Sequence, residues 1–292
     1  VKAGKTTDGN TTYYTTLDEA ESYDINDADS IIFEVVPSDS NGVLGVTGVK
    51  TVAGTSSDFT MSSNSDGSWT SEEITEEGSY TIVITAEDAS GNALSGDSAI
   101  SGRTTSVTKT IVFDKTAPVI ESVSVNGQQI TSASDNSGVW YNSNTVTVVV
   151  TASDNASGMS AVQYSSDNST WQDFAISSGT YRANVEFSSD GENKLYLRAS
   201  DVIGNVSEVF QTVDSEGNAL DGIVIKTDTS DAELEALFVK VGESGSLKTS
   251  GGTVYSNGSA AITIYGQYED EQSGVGSQLT FTLGNKIGRA HV

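Results

Sequence analysis

The chain has 292 residues, a net charge of −26 from 14 basic and 40 acidic residues, and no cysteine. So acidic a surface repels phosphate groups, and we expect neither nucleic acid nor anionic lipid as a partner. The lack of cysteine excludes disulfides and thiol chemistry, and no apolar stretch approaches the ~18 residues of a membrane span. Disorder is disfavoured because Val, Ile, Tyr and Phe recur in period-2 runs.

Short runs with strand periodicity follow one another along the chain, separated by turn sequences. Turn clusters at 65–68, 188–191 and 215–218 lie between such runs, and helical alternation is missing, which favours a β-sandwich. The segment 230–237 differs because it resembles a capped helix start, so we allow one helical turn there before a strand at 237–241. The other predicted strands are residues 30–36, 108–113, 119–125, 145–151, 222–226 and 261–265.

Two kinds of motif repeat at nearly one spacing. The pattern A-x-D-x-x-G-N occurs around Asp88 and again around Asp201, 113 residues later. A loop in which Asp is followed by Gly contains Asp39, Asp154 and Asp270, at spacings of 115 and 116 residues. This periodicity predicts an array of units, each long enough to bury a core. The units are predicted at 1–114, 115–228 and 229–286, the third being truncated.

Both ends of the chain suggest a piece of a longer protein. The chain begins with Val1 rather than Met, and residues 287–292, which include the only histidine, His291, match a translated sequencing adapter. These six residues are therefore left out of the fold prediction. Unit three stops before the equivalent of 191–205, so we expect it to expose an open strand edge.

The joint V-F-D-K-T-A-P at 112–118 resembles the joint between bacterial immunoglobulin-like repeats. The body of unit two is similar to those repeats throughout, at 140–144, 154–159, 162–171 and 191–205. The resemblance implies an all-β fold of tandem immunoglobulin-like, Greek-key β-sandwiches. Such repeats occur in large surface proteins, adhesins and biofilm proteins, and beside catalytic domains of secreted glycosidases. The joint at 226–231 departs by lacking proline, and unit one carries an extra segment, 43–61, whose place is not predicted.

Candidates for catalysis or sugar binding each have a structural alternative. Without Cys, and with His291 set aside, the Ser-His-Asp and Cys-His mechanisms and the usual zinc sites are excluded. Tyr80 is expected to form a hydrogen bond at the turn before its strand. Paired carboxylates can hydrolyse glycosides, but an acidic run also fits a solvated loop; the run contains Glu72, Glu73, Glu76 and Glu77. A tryptophan platform can bind sugar, but tryptophan also packs in cores or on hairpins; the residues are Trp69, Trp140 and Trp171.

The loop and joint aspartates are the candidate ligands of a metal site. With the sandwich strands named A to G, the B–C and F–G loops lie at the end where strand A enters. Asp114, Asp154 and Asp201 should then converge at the first joint, and Asp228 and Asp270 at the second. Carboxylates with loop carbonyls suit Ca²⁺, whereas the alternative makes each Asp a turn former. The predicted metal ligands are Asp39, Asp88, Asp114, Asp154, Asp201, Asp228 and Asp270.

These features favour a non-catalytic extracellular fragment that serves as stalk or adhesive array of a bacterial cell-surface protein, with calcium stiffening its joints. Expected partners are neighbouring repeats of the same chain and a glycan or protein of a host or neighbouring cell. The alternative is an accessory module, carbohydrate-binding or spacer, of a secreted polysaccharide-degrading enzyme whose catalytic domain lies elsewhere.

Overall fold

The computed structural model describes residues 2–13, 22–38, 42–88, 106–132, 135, 139–242, 248–249 and 262–274. The fold is all-β: two immunoglobulin-like sandwiches, called unit one and unit two, follow one another along the chain. A three-stranded sheet of unit three comes after them. Fold class and tandem arrangement therefore agree with the prediction.

The described residues of unit one form two five-stranded sheets. Its strands are β1 (Lys2–Thr7), β2 (Asn10–Tyr13), β3 (Ser22–Ile25), β4 (Ser30–Val35), β5 (Val43–Val52), β6 (Thr55–Phe59), β7 (Met61–Ser63), β8 (Trp69–Ser71), β9 (Gly78–Asp88) and β10 (Ser106–Phe113). One sheet has the order β2-β1-β4-β8-β7 and the other β3-β10-β9-β5-β6. β3 pairs with β10 in parallel.

Unit two repeats this topology strand for strand. Its strands are β11 (Val119–Val125), β12 (Gln128–Gln129), β13 (Trp140–Tyr141), β14 (Thr145–Ser153), β15 (Met159–Ser165), β16 (Gln172–Asp173), β17 (Ala175–Ser177), β18 (Thr180–Glu186), β19 (Gly191–Asp201), β20 (Thr212–Val213), β21 (Ala219–Leu220) and β22 (Ile223–Thr227). The sheet orders are β12-β11-β14-β18-β17 and β13-β22-β19-β15-β16, with β20 and β21 forming a separate hairpin. β13 pairs with β22 in parallel, as β3 does with β10.

The described part of unit three repeats the start of unit two. Its strands are β23 (Glu233–Val241), β24 (Lys248–Thr249) and β25 (Ile262–Glu269), in the order β24-β23-β25 that corresponds to β12-β11-β14. Even the irregularity between Ile120 and Ser122 recurs between Leu234 and Ala236. The helical turn allowed at 230–237 is wrong, because pairing with β25 extends the strand back to Glu233, and such tertiary pairing overrides local helix propensity. Residues 275–292, including His291 and the adapter-like end, lie outside the described residues.

The segment 43–61, which had no predicted place, forms the long hairpin of β5 and β6 and the start of β7. β5 pairs with β9 as β15 pairs with β19, and both pairs are irregular at their first residues. Ala53 and Gly54 have φ of 48° and 79°, the geometry of a tight two-residue hairpin turn. The segment is therefore the counterpart of 159–175 with longer strands, not an insertion.

Each sandwich has its own core between its two sheets. Along β19, Leu195 and Leu197 are fully buried and face the core, as the two-residue period predicts. Tyr196 points to the opposite face and yet is only 7% exposed, because the backbone at Gly222 lies against its ring. The other central core residues of unit two include Val123, Val148, Val150 and Ile225.

Candidate metal centre at the joint between unit one and unit two

Asp114 begins the joint immediately after β10. The last ladder pair of unit one joins Phe113 to Gly78, and the N–H of Asp114 then donates to the carbonyl of Ile25 over 3.0 Å. Its carboxylate accepts from the Thr116 N–H at 3.1 Å through Oδ1 and from the Ser157 N–H at 2.9 Å through Oδ2. Asp114 is fully buried, so the linker is bound by unit two from its first residue.

Asp154 shapes the loop between β14 and β15. Its Oδ2 accepts from the N–H groups of Ala156 at 3.1 Å and Gly158 at 2.7 Å. Gly158 has a φ of 87°, which explains why this loop ends in glycine. The other oxygen, Oδ1, is buried and has no hydrogen-bond partner among the described residues, and the same holds for Oγ of Ser157.

Asp201 ends β19 and shapes the loop that follows. Its Oδ1 accepts from the N–H groups of Gly204 at 2.7 Å and Asn205 at 2.8 Å. The side-chain amide of Asn205 donates to Asp201 Oδ2 at 2.7 Å and to the carbonyl of Asp114 at 2.9 Å. Asn205, the last residue of the A-x-D-x-x-G-N motif, therefore joins the loop of unit two to the linker.

The three carboxylates converge. Asp114, Asp154 and Asp201 each offer one oxygen, and these oxygens lie within 4.8 Å of one another. Two of the residues are buried, Asp201 being 2% exposed. None of the ion pairs found among the described residues includes them. Three close anions that are mostly shielded from water are costly unless a cation or a proton compensates them.

The donor set fits calcium. Ca²⁺ takes about 6–8 oxygen ligands and accepts carboxylates and carbonyls in irregular geometry. Asp154 Oδ1 and Ser157 Oγ supply buried oxygens that have no hydrogen-bond partner among the described residues. The carboxylate oxygens that accept backbone N–H groups have further lone pairs. Turn formation and metal binding are therefore compatible uses of the same side chains.

The second joint repeats the first. Asp228 is 6% exposed; it accepts from the Ser230 N–H at 3.0 Å and from the Ser273 N–H at 3.0 Å. Its own N–H donates to the backbone carbonyl of Tyr141, the counterpart of Ile25, at 2.8 Å. Hydrogen bonds from Ser273 and from the Ser230 amide lower the pKa of Asp228.

Asp270 takes the place that Asp154 has in the first joint. Its Oδ1 accepts from the N–H groups of Gln272 at 3.2 Å and Gly274 at 2.9 Å. Ser273 contacts both aspartates: its N–H donates to Asp228 Oδ2 at 3.0 Å, and its hydroxyl donates to Asp270 Oδ1 at 3.4 Å. The second joint therefore brings together two of the predicted ligands.

Two predicted ligands of unit one cannot be placed at a site. Asp39 lies outside the described residues, and of Asp88 only the backbone, at the end of β9, is described. Sequence reasoning also missed contacts across the first joint. Ser157 and Asn205 bind Asp114, and the side-chain amide of Asn26 donates to the carbonyl of Ile203 at 3.0 Å. The Asn at the end of the repeated motif was the available signal for Asn205.

The acidic run and the tryptophans lie elsewhere. Glu72, Glu73 and Glu76 are exposed, which fits a solvated loop. The hydroxyl of Tyr80 donates to the Glu76 carbonyl at 2.5 Å, the predicted hydrogen bond at the turn. Burial raises the pKa of that phenol.

Of the three tryptophans, only Trp69 packs against a hydrophobic core of the described residues, that of unit one. Trp171 instead has the Arg198 guanidinium 4.1 Å from its ring centroid, which covers one face of the indole. Trp140 has the Lys226 ammonium at 5.6 Å. The sugar platform stays a prediction.

No family model and no curated protein matches this sequence. Among solved structures, the chain is similar to the fibronectin(III)-like modules of Clostridium thermocellum CbhA, at 14% identity and a TM-score of 0.28, over 71% of this chain and 89% of that one. It also overlaps the Bacteroides ovatus mixed-linkage glucan utilization locus protein SGBP-B, solved with a mixed-linkage heptasaccharide. That match has 13% identity and a TM-score of 0.18, over 78% of this chain and 47% of that one. Both TM-scores lie below 0.5, so neither likeness bears on the function of this chain.

In the part of the chain that the structure describes, no helix is both long and apolar enough to cross a membrane.

Proposed function

We propose that the chain is a non-catalytic, extracellular array of bacterial immunoglobulin-like repeats that acts as the stalk or adhesive region of a cell-surface protein. The observation that carries the proposal is the repetition of the joint. Asp114 and Asp228 each accept from the N–H two residues later and from a loop N–H of the following unit. Tandem domains joined without a set orientation need no such repetition. A rod that holds a binding region away from the cell does need the same contacts at each joint, because every joint must keep its orientation.

Calcium is proposed to stiffen the first joint through Asp114, Asp154 and Asp201. Without metal, three carboxylates whose oxygens lie within 4.8 Å repel one another. With metal, the ion would join the carboxylate of Asp114 to those of both loops, in addition to the hydrogen bonds from Ser157 and Asn205. The net charge of −26 adds a general attraction for divalent cations.

The test is the melting of the full chain with millimolar calcium and with chelator. Binding to the folded state alone adds about 2.7 kcal/mol at a hundredfold excess over Kd, so calcium should raise the melting temperature. Asp201→Asn or Asp114→Ala should remove most of that rise. Asp58→Asn, an exposed carboxylate on β6, is the matched control and should leave it intact.

Scattering profiles complete the test, because a pinned joint should make the array longer and straighter. If calorimetry detects no heat with calcium and the profiles with calcium and with chelator superimpose, the aspartates are turn formers only. Strong binding on a glycan array, together with a catalytic domain in the neighbouring sequence, would instead favour the accessory-module function.

A further inference from the structure

A second pair of carboxylates lies at the joints, on the side of the preceding unit. The ladder between β9 and β10 ends at Gly78 paired with Phe113, and that between β19 and β22 ends at Gly191 paired with Thr227. The residue just beyond each glycine is acidic: Glu77 in unit one and Asp190 in unit two. Both carboxylates are one residue away from the last paired glycine, so they lie beside the linker where it leaves the unit.

Each of these carboxylates binds the linker at the same place. Two residues after the joint aspartate, the hydroxyl of Thr116 donates to Glu77 Oε1 at 3.0 Å. At the second joint the hydroxyl of Ser230 donates to Asp190 Oδ2 at 3.2 Å. The equivalence of donor, acceptor and position argues against a chance surface contact.

We infer that Glu77 and Asp190 are positioning residues that fix the direction in which the chain leaves each unit, and that they do so without metal. We call each hydroxyl–carboxylate contact the latch. The latch acts on the linker from the preceding unit, whereas Ser157 and Asn205 bind it from the following unit. Attached from both sides, the metal-free linker has fewer orientations available to it than either contact alone would leave. The inference rests on the proposed function only in that both concern the same joints.

The two latches differ in extent. Asp190 additionally accepts from the N–H of Thr229 at 3.1 Å and from its hydroxyl at 2.9 Å. Glu77 uses one oxygen, and its buried Oε2 has no partner among the described residues. The first latch is therefore the weaker of the two, and one substitution should release it.

The test measures the orientation of unit one relative to unit two in the full chain, in chelator. The chain has no cysteine, so Ser57→Cys on β6 and Ser177→Cys on β17, both exposed, can carry a unique pair of spin labels. Thr116→Val removes the hydroxyl and keeps the shape. We expect the population of the main interspin distance to fall roughly two- to tenfold relative to the alternatives, as for the loss of one hydrogen bond.

Two variants serve as controls. Thr116→Ser keeps the hydroxyl, as Ser230 does at the second joint, and should restore the original distribution. Thr110→Val removes an exposed hydroxyl from β10 and should change nothing. The latch would be contradicted by an unchanged interspin distance distribution in Thr116→Val. It would also be contradicted if Thr110→Val changed that distribution as much as Thr116→Val does. Because chelator is present throughout, failure of the calcium proposal leaves this comparison valid.

Discussion

The interiors of the two sandwiches and the joints that follow them repeat in different ways. At equivalent core positions the side chains differ: Phe33 corresponds to Val148, and Phe113 to Thr227, all four being fully buried. At the joints the acceptor itself recurs, since Asp114 corresponds to Asp228 and each accepts from equivalent N–H groups.

The difference follows from the forces involved. A core needs apolar volume in a given pattern, and many combinations of side chains supply it. A joint needs acceptor oxygens at fixed points to pair buried N–H groups, and few side chains supply them. Variation inside the units is thus compatible with a constant geometry between them.

The largest expected effect is on the core of unit two. Leu197→Ala should lower the free energy of unfolding by roughly 2–5 kcal/mol because it leaves a cavity, whereas Leu197→Ile, which keeps the volume, should cost less than about 1.5 kcal/mol. Denaturant unfolding measures both. Lys194→Ala on the opposite face of β19 is the control and should cost little. Equal costs for Leu197→Ala and Lys194→Ala would show that the register of β19 is shifted by one residue.

The second prediction concerns the stability of unit two on its own, without the contacts of its joints. A fragment of residues 115–228 should fold alone, because the core of unit two is made of residues within that range. Extending it by one residue to Asp114 restores the acceptor for the Ser157 N–H and should add about 0.5–1.5 kcal/mol. Limited proteolysis of the full chain should cut near Lys115, which is exposed. A fragment that melts without cooperativity would contradict the predicted boundaries.

The smallest expected effect is an acid transition at the second joint. Hydrogen bonds from the Thr229 amide, and then from the Thr229 and Ser230 hydroxyls, lower the pKa of Asp190; the pKa of Asp228 is lowered as well. Carboxylates with depressed pKa values stabilise the folded state fully above their usual pKa, 3.8, and lose that contribution as pH falls through the folded value. The amide resonance of Thr229 should therefore titrate below pH 3.8, and in Asp190→Asn it should not.

The sequence predicted what periodicity and repetition encode. The strand at 119–125 has the predicted bounds, and the strands at 30–36 and 108–113 differ by one or two residues. Contacts between polar groups that are distant in sequence could not be predicted in the same way. The burial of Tyr196 depends on its contact with Gly222, which is distant in sequence. The position of the latch depends on where the strand pairing of each unit ends. Neither follows from a local sequence pattern.

The parallel pairing of an early strand with the last strand of each unit has a mechanical consequence. Tension along the array enters unit one at β1 and leaves it at β10, so once β1 has been pulled away from β4 the load passes to β3 and β10. Because these two strands are parallel, they are then pulled in opposite directions along their common axis, and their hydrogen bonds are sheared together rather than opened one by one. Unit one pairs four residues in this way, from Ser22 with Thr110 to Ile25 with Phe113. Unit two pairs two, Trp140 with Lys226 and Tyr141 with Thr227. In single-molecule stretching, unit two should yield first, which would lengthen the rod under load while unit one stays folded.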